Sequence, residues 1–384
     1  MRREAPLRIL QVVGAMNMGG TETMLMNIYR HMDRESVQFD FISYSSQEAH
    51  YDQEIKALGG SVIKLSKTNS IKEIYNVIKR NGPYDAVHAH TLFHCGIANV
   101  AAYLAGVKIR ISHAHTTLDN SNSIARKVYI TTMRTIIKLF STDLLACSNG
   151  AGTYLFGKNG VNQRKYSFFP NVIDYSTFLQ PSYAEVKKFK LEAGVGKSII
   201  IGHVGRFIEA KNHTFLLEIM KSVIKRDPSI KLLLVGDGDL RLEIEAKAKN
   251  DGLLANIKFV GIRTDIATML HNMDVFVFPS IHEGLGLVLL EAQASGIPCI
   301  VSEAIQPEAD LNIGLVSKLL LANGPDVWAD KIIEVANKKE KNTNKIITGF
   351  EENGYSLTLA FEKLKKIYKS SDGVADEKYL DYHL

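Results

Sequence analysis

The chain has 384 residues, 46% of them hydrophobic and 23% charged, with a formal net charge of +5. That length supports two or three domains with sizeable cores, which excludes a small stapled scaffold and a disordered chain. The three cysteines, Cys95, Cys147 and Cys299, lie far apart with no CxxC pair; this argues against a zinc cluster or disulfide framework and fits a reducing cytoplasm.

Arginines precede the first apolar run, as in a secretion leader. The run is short, is broken by Gln11 and lacks a small-x-small cleavage site, so Arg8–Val13 reads as a first buried strand. It leads into MNMGGTET and a helix over Thr21–His31. The segment is not GxGxxG, so a nicotinamide fingerprint is not supported. Gly19 and Gly20 at a helix start suit close approach of a phosphate or sugar; a simple turn is the competing reading.

Further strands follow in VQFDFIS, SVIKLS, DAVHAH, IRISHAH, DLLACS and KYSFFP, with helices at Gln53–Leu58, Ile71–Asn81, Cys95–Ala105 and Ile124–Phe140. Continuous apolar strands alternating with helices predict a parallel sheet covered on both faces. His88 and His90 end one strand, and His113 and His115 end another. Residues two apart share a strand face, so each pair can line one crevice. A lone histidine is more often structural; two pairs at strand ends are less easily dismissed.

Residues 1–178 carry 20 Lys and Arg against 13 Asp and Glu, and the remainder 26 against 28. The basic first half favours an anionic partner: a phosphorylated acceptor, a membrane surface or nucleic acid. No RNP, helix-turn-helix or zinc-finger pattern supports nucleic acid. In IARKVYITTMRTIIKLF, Arg126, Lys127, Arg134 and Lys138 alternate with aliphatic residues, as on interfacial helices. An ordinary helix packed on the sheet is the competing reading. No stretch approaches the ~20 apolar residues of a membrane span.

A hinge is expected in the polar segment around 174–197, after which the pattern restarts with SIIIGHVGR, IKLLLVGDG, IKFVG, DVFVFPS and PCIVSE. Two βα series predict an α/β chain of two doubly wound domains, 1–178 and 179–356. The amphipathic stretch Leu357–Lys369 is expected to cross back and complete the first domain within 357–384, with a polar tail after Ser370. Ligands of doubly wound sheets bind beyond the carboxyl ends of the strands, so the residues after each strand hold the interest.

Arg206 and Lys211 share one strand-to-helix loop, a planar donor fork and a point charge suited to a diphosphate. Asp237-Gly238-Asp239 has the form of a metal-binding DxD. A tight glycine turn followed by an aspartate cap on a helix over Leu240–Lys249 is favoured, because nothing nearby completes a metal shell. EGLGLVLLE places Glu283 in a loop and Glu291 more than a turn inside a helix starting near Gly286. The loop glycines allow close ligand approach, and the helix start presents free N–H groups. By spacing alone, two ligand-holding glutamates and two structural ones stand even.

Together these segments resemble the family 4 retaining glycosyltransferases of the GT-B fold, whose two Rossmann-like parallel-sheet domains face a central cleft. The resemblance spans nearly the whole chain: GGTE, VHAH, SHAH, FFPNVID, VGRFIEAKNH, LLLVGDGDL, FVGIRTDI and FPSIHEGLGLVLLEAQASGIPCIVSE come in the family's order. The last block is the most specific, since the family is marked by two glutamates separated by seven residues. Exopolysaccharide and capsule members are the most similar in the GMNxGG-like and HAHT-like segments.

The resemblance implies transfer of a sugar from a nucleotide donor, a UDP-sugar by expectation, to a saccharide or lipid-linked acceptor, with no cofactor and no metal. It implies that Glu283 contacts the donor sugar, Glu291 the ribose, and Arg206 and Lys211 the diphosphate. The N–H groups of Gly284, Leu285, Gly286 and Leu287 would complete that clamp. Gly19 and Gly20 would border the phosphate and acceptor, and Gly261 and Arg263 would flank the base. The active-site histidine matches His115, with His113 the alternative; His90, His113 and Asn171 are acceptor-side candidates. A cytoplasmic location, peripheral at the inner face of the membrane, goes with such an acceptor.

Two departures stand out. Val172 replaces the usual glycine in PNVID, and AIQPEADL replaces a glycine-rich turn after CIVSE, which bears on donor identity. A sugar-nucleotide epimerase or hydrolase on the same fold, and a silent nucleotide-sugar-binding subunit, are the rival readings.

Overall fold

The computed structural model describes residues 5–116, 123–196, 198–336 and 341–370. Expectations for Lys197 and for the segment beyond Ser370 lie outside the described residues. The chain divides into two compact units, Met1–Ile173 with Gly354–Leu384, and Asp174–Asn353.

The first unit holds seven parallel strands: β1 (Leu7–Val13), β2 (Val37–Ser43), β3 (Val62–Lys64), β4 (Ala86–Ala89), β5 (Ile109–Ala114), β6 (Asp143–Ala146) and β7 (Tyr166–Phe168). Their order is β3-β2-β1-β4-β5-β6-β7. The central strands are mostly apolar and buried, as in a parallel sheet covered on both faces, whereas the edge strands β3 and β7 are only partly buried. The progression reverses between β1 and β4, which pair from Ile9↔Ala86 to Val12↔Ala89. Connections there leave on opposite sides of the sheet and open a crevice at the carboxyl ends.

The helix Leu357–Lys369 returns to this unit. Ser356 caps it, its Oγ accepting from Leu359 N. Ala360, Phe361, Leu364, Ile367 and Tyr368 recur at the spacing of one helical face. They are buried in one core with Ile9, Phe39 and Met24, each large apolar side chain contributing about 1.5–3 kcal/mol on burial.

The second unit holds six parallel strands: β8 (Ile200–Val204), β9 (Lys231–Val235), β10 (Ile257–Gly261), β11 (Val275–Phe278), β12 (Cys299–Ser302) and β13 (Val316–Leu319). The order is β10-β9-β8-β11-β12-β13, so the reversal lies between β8 and β11. The sequence reading gave five strands here and missed β13. Val-Ser-Lys-Leu is a short edge strand with no fully buried residue, so it lacks the apolar run that marks the others.

One local expectation is corrected. The helix Arg241–Asn250 has Leu240 at its N-cap position and no side-chain cap, so Asp239 does not serve as one. The turn itself is tight. Gly236 and Gly238 bring their backbone against the loop after β8, and a Cβ at Gly236 would lie 2.1 Å from the Gly205 carbonyl oxygen. Asp237 Oδ1 accepts from the Gly238 N–H at 2.8 Å.

Candidate active site

In the second unit, the topological reversal brings together two loops that are distant in sequence. After β8 the chain passes through Gly205, Arg206 and the buried Phe207, makes a 3-10 turn at Glu209–Lys211, and enters the helix His213–Arg226 through Asn212 in the left-handed region. After β11 it passes through Pro279 and the buried Ser280 to Glu283. The Ile281 N–H donates to the Ala210 carbonyl at 2.8 Å and ties the loops together.

Across that tie, Lys211 Nζ lies 2.5 Å from Glu283 Oε1, with the side chains only 16% and 10% exposed. Ser280 Oγ donates to the same oxygen at 2.9 Å. The ammonium also lies 4.5 Å from the centre of the Phe278 ring, whose face favours a cation. Three groups therefore fix one carboxylate oxygen and one positive charge at the carboxyl edge of the sheet. Arg206 is exposed on the same loop and makes no ion pair among the described residues.

The stretch after Glu283 turns into a helix at Gly286, whose φ of 82° a side chain would strain. A Cβ there would also meet the Phe278 ring at 3.1 Å. The helix Leu287–Ala294 then presents free N–H groups at its start, directly after Gly284 and the buried Leu285. Glu291 lies one turn in. Burial alone pushes its carboxyl up to about 7.

At the end of β10, Gly261 has a φ of 72°. Arg263 directs its guanidinium to Asp265, with Nε 2.7 Å from Oδ1 and Nη2 2.6 Å from Oδ2. The structure thus brings Lys211 and Glu283 into contact, and gives Arg263 a partner within its own loop.

In the first unit, Gly19 is the N-cap of the helix Gly20–His31, with no side-chain cap. The other first-unit candidates gather around the ends of β4 and β5. His90 Nδ1 hydrogen-bonds His115 Nε2 at 2.8 Å, and His115 Nδ1 faces Asn171 Oδ1 at 2.9 Å. His113 is buried inside β5, its nitrogens facing His88 at 3.2 Å and the Phe169 carbonyl at 3.3 Å. Burial lowers the pKa of His88, His90 and His113 well below the ordinary imidazole value, and that of His115 to about 4.

Sequence reasoning overlooked Gln11, Tyr368, Phe278 and Ser280 as parts of these constellations. Gln11 carried a signal, being a polar residue inside an otherwise apolar strand. Tyr368 carried none, because its helix closes onto the sheet from the far end of the chain.

Comparison with known proteins adds the following. Residues 18–177 match the family described as Glycosyltransferase Family 4, and residues 185–351 match Glycosyl transferases group 1. The putative glycosyltransferase EpsF of Bacillus subtilis (strain 168) is 38% identical over 371 residues, covering 95% of this chain and 97% of that protein. The capsular polysaccharide biosynthesis glycosyltransferase CapH of Staphylococcus aureus is 27% identical over 374 residues, covering 95% and 99%. The crystal structure of Anabaena HepE in complex with UDP and glucose superposes with a TM-score of 0.75 at 17% identity, covering 93% of this chain and 98% of that one. That last likeness speaks to the fold.

Proposed function

The chain belongs to the family 4 glycosyltransferases, and on that premise we propose that it moves a sugar from a UDP donor to a lipid-linked saccharide, with retention of configuration and without a bound metal. Its relative CapH is a glycosyltransferase of capsular polysaccharide biosynthesis, and its two parallel-sheet units are those of the GT-B fold.

The contact between Lys211 and Glu283 at the β8/β11 reversal carries this reading. Breaking the bond between the anomeric carbon and the diphosphate develops positive charge on the sugar and negative charge on the leaving oxygens. Lys211 and Arg206 offer fixed positive charge to those oxygens, which is the stabilisation a metal would otherwise supply. The N–H groups from Gly284 to Leu287 add dipolar stabilisation.

Glu283 takes the sugar hydroxyls and the developing charge at the anomeric carbon. Held by Lys211 and Ser280, its carboxylate needs little reorganisation during reaction. Glu291 takes the ribose hydroxyls. The acceptor oxygen bonds to the anomeric carbon on the face the diphosphate leaves, and its proton passes to the departing phosphate oxygen. Gly261 and Arg263 border the base, Gly19 and Gly20 serve the phosphate and acceptor side, His115 acts as the active-site histidine, and His90, His113 and Asn171 serve the acceptor side.

A lipid-linked acceptor calls for contact with a membrane. No helix among the described residues is long and apolar enough to cross one, and the helix Ile124–Phe140 leaves Ile124, Val128 and Leu139 exposed. These support peripheral attachment.

Product analysis with UDP-, GDP- and ADP-sugars and a lipid-linked acceptor tests the proposal. The expected result is a glycosylated acceptor from a UDP-sugar, with unchanged anomeric configuration and no loss of rate in EDTA. Preference for GDP-mannose would overturn the donor assignment. Donor consumption without a glycosylated acceptor would favour a hydrolase or epimerase.

A further inference from the structure

Phe169 turns its backbone carbonyl toward the interior of the first unit, and His113 Nε2 lies 3.3 Å from that oxygen. A carbonyl only accepts, so His113 carries its proton on Nε2. The ring is neutral, because burial penalises a charged imidazole and Lys363 adds positive charge nearby. Its Nδ1 is therefore a lone pair, to which His88 Nε2–H donates at 3.2 Å. His88 is neutral by burial too, so its Nδ1 accepts from the Tyr368 hydroxyl at 2.8 Å.

That bond uses the one proton of Tyr368. The phenol oxygen can then only accept, and Gln11 Nε2 donates to it at 3.3 Å. Gln11 Oε1 is thereby turned to His90 and accepts from its Nε2–H at 2.9 Å. His90, neutral by burial, keeps a lone pair on Nδ1, to which His115 Nε2–H donates at 2.8 Å. The last lone pair, His115 Nδ1, faces the Asn171 amide at 2.9 Å. The two ends of an amide are alike in shape, and its partners decide which end points where. Asn171 accordingly turns its Nδ2–H to His115, and every contact has one proton and one lone pair.

The opposite polarity fails at one place. Four Nδ1–H rings would require Gln11 to turn, and would set the His113 Nε2 lone pair against the Phe169 carbonyl oxygen, a buried hydrogen bond left unmade. Nitrogens of His88, His90 and His113 come within 4.8 Å of one another. Each points along its own line to a partner and not to a shared centre, so the array orders protons rather than an ion. Stacking fixes the rings, with centres 4.3 Å apart for His88 and His90 and 4.0 Å for His113 and His115.

We propose that Tyr368 and Gln11 are positioning residues for His115. They carry the polarity set at Phe169 from the His88–His113 pair to the His90–His115 pair, and hold His115 as the Nε2–H tautomer with both nitrogens occupied. The inference rests on the reading that His115 is the active-site histidine. It gives that ring a fixed orientation and no charge, since proton exchange with a substrate at either nitrogen would displace His90 or Asn171. The helix Leu357–Lys369 thus closes the core and also sets a tautomer at the end of β5.

Histidine-selective 15N spectra of the full chain near neutral pH, assigned by single His→Gln variants, test the relay. In the wild type all four rings should be neutral and protonated on Nε2. Tyr368→Phe keeps the packed ring and removes the hydroxyl. There His113 should stay Nε2–H, held by Phe169, while His90 and His115 become mixtures of tautomers, because Gln11 and Asn171 can then turn together. A purely structural role would disturb all four rings or none. An Nδ1–H ring at any of the four positions in the wild type, or unchanged His90 and His115 in Tyr368→Phe, would overturn the relay. In transfer from a UDP-sugar, kcat of Tyr368→Phe should fall about two- to tenfold with KM for the donor unchanged, as the competent tautomer is only partly populated. Mixed tautomers with full kcat would overturn the positioning role. No transfer by the wild type would sink the reading of His115, while the spectra still judge the relay.

Discussion

Lys211 Nζ and Glu283 Oε1 meet at 2.5 Å although 72 residues separate them in the chain. The contact exists because β8 and β11 are neighbours at the point where strand order reverses. Both side chains are nearly buried, so removing one takes an opposite charge from the other in a poorly solvated place. Lys211→Met and Glu283→Gln should each destabilise the protein by about 3 kcal/mol, and the double variant by less than the sum. Urea denaturation of the four proteins would measure this. Each single variant should also lose about 10²–10³ in turnover.

Glu291 gives a stability effect with a defined sign. Its carboxyl is raised to about 7 in the fold, whereas the unfolded chain titrates near the ordinary 4.5. Between those values the folded state holds the proton that the unfolded state has lost, so stability falls as pH rises through this window. Glu291→Gln should therefore leave stability unchanged below about pH 4 and raise it by about 3 kcal/mol at pH 8. The same substitution should weaken UDP binding. A stability gain that does not grow between pH 5 and pH 8 would contradict the assignment.

Two glycines with positive φ, 72° at Gly252 and 130° at Gly236, separate backbone strain alone from strain combined with close approach. Gly252 has a φ of 72° and open space around it, whereas a Cβ at Gly236 would sit 2.1 Å from the Gly205 carbonyl oxygen. Gly252→Ala should cost about 1–2 kcal/mol, the ordinary left-handed penalty. Gly236→Ala should cost more and displace the loop that carries Arg206 and Lys211. Thermal melts together with turnover would reveal this ordering.

The helix Ile124–Phe140 buries only Met133 and Ile137 fully. Arg126 lies over the rings of Phe93 and Tyr129, and Arg134 donates to the Tyr154 carbonyl, so two of its four basic residues are engaged within the unit. Lys127 remains exposed beside Ile124 and Val128. Flotation with anionic liposomes at low salt should carry the protein upward, and Ile124→Ser with Val128→Ser should reduce the floating fraction several-fold. Absence of wild-type flotation would remove the membrane contact from the proposal.

Much of the architecture was legible in the residues. The strand segments from RILQVV to KYSFFP, and again from SIIIGHV to PCIVS, stand out because burial on both faces favours short runs rich in apolar residues. β13 escaped because Val-Ser-Lys-Leu is short, mixes apolar with polar residues and has no buried residue. The aspartate cap expected after Gly238 also failed. The glycines there serve a backbone approach between two loops, a need that helix propensity does not register.

The candidate site was legible as residue types placed after strands: Arg206 and Lys211 after β8, Glu283 after β11, and histidines at the ends of β4 and β5. Spacing in EGLGLVLLE could not say whether its glutamates hold a ligand or pack. Order among the surrounding blocks carried the family resemblance, and the matched relatives placed the chain in that family.

Which side chains meet was decided by tertiary structure. Sequence determined the parallel α/β plan, because periodicity and apolar runs are local consequences of burial. Strand order decided that Lys211 reaches Glu283, that Gln11 reaches His90, and that Tyr368 reaches His88 across 280 residues. Hydrogen bonds of that kind depend on ångström-scale positions set by packing of the whole unit, and no short stretch of chain contains that information.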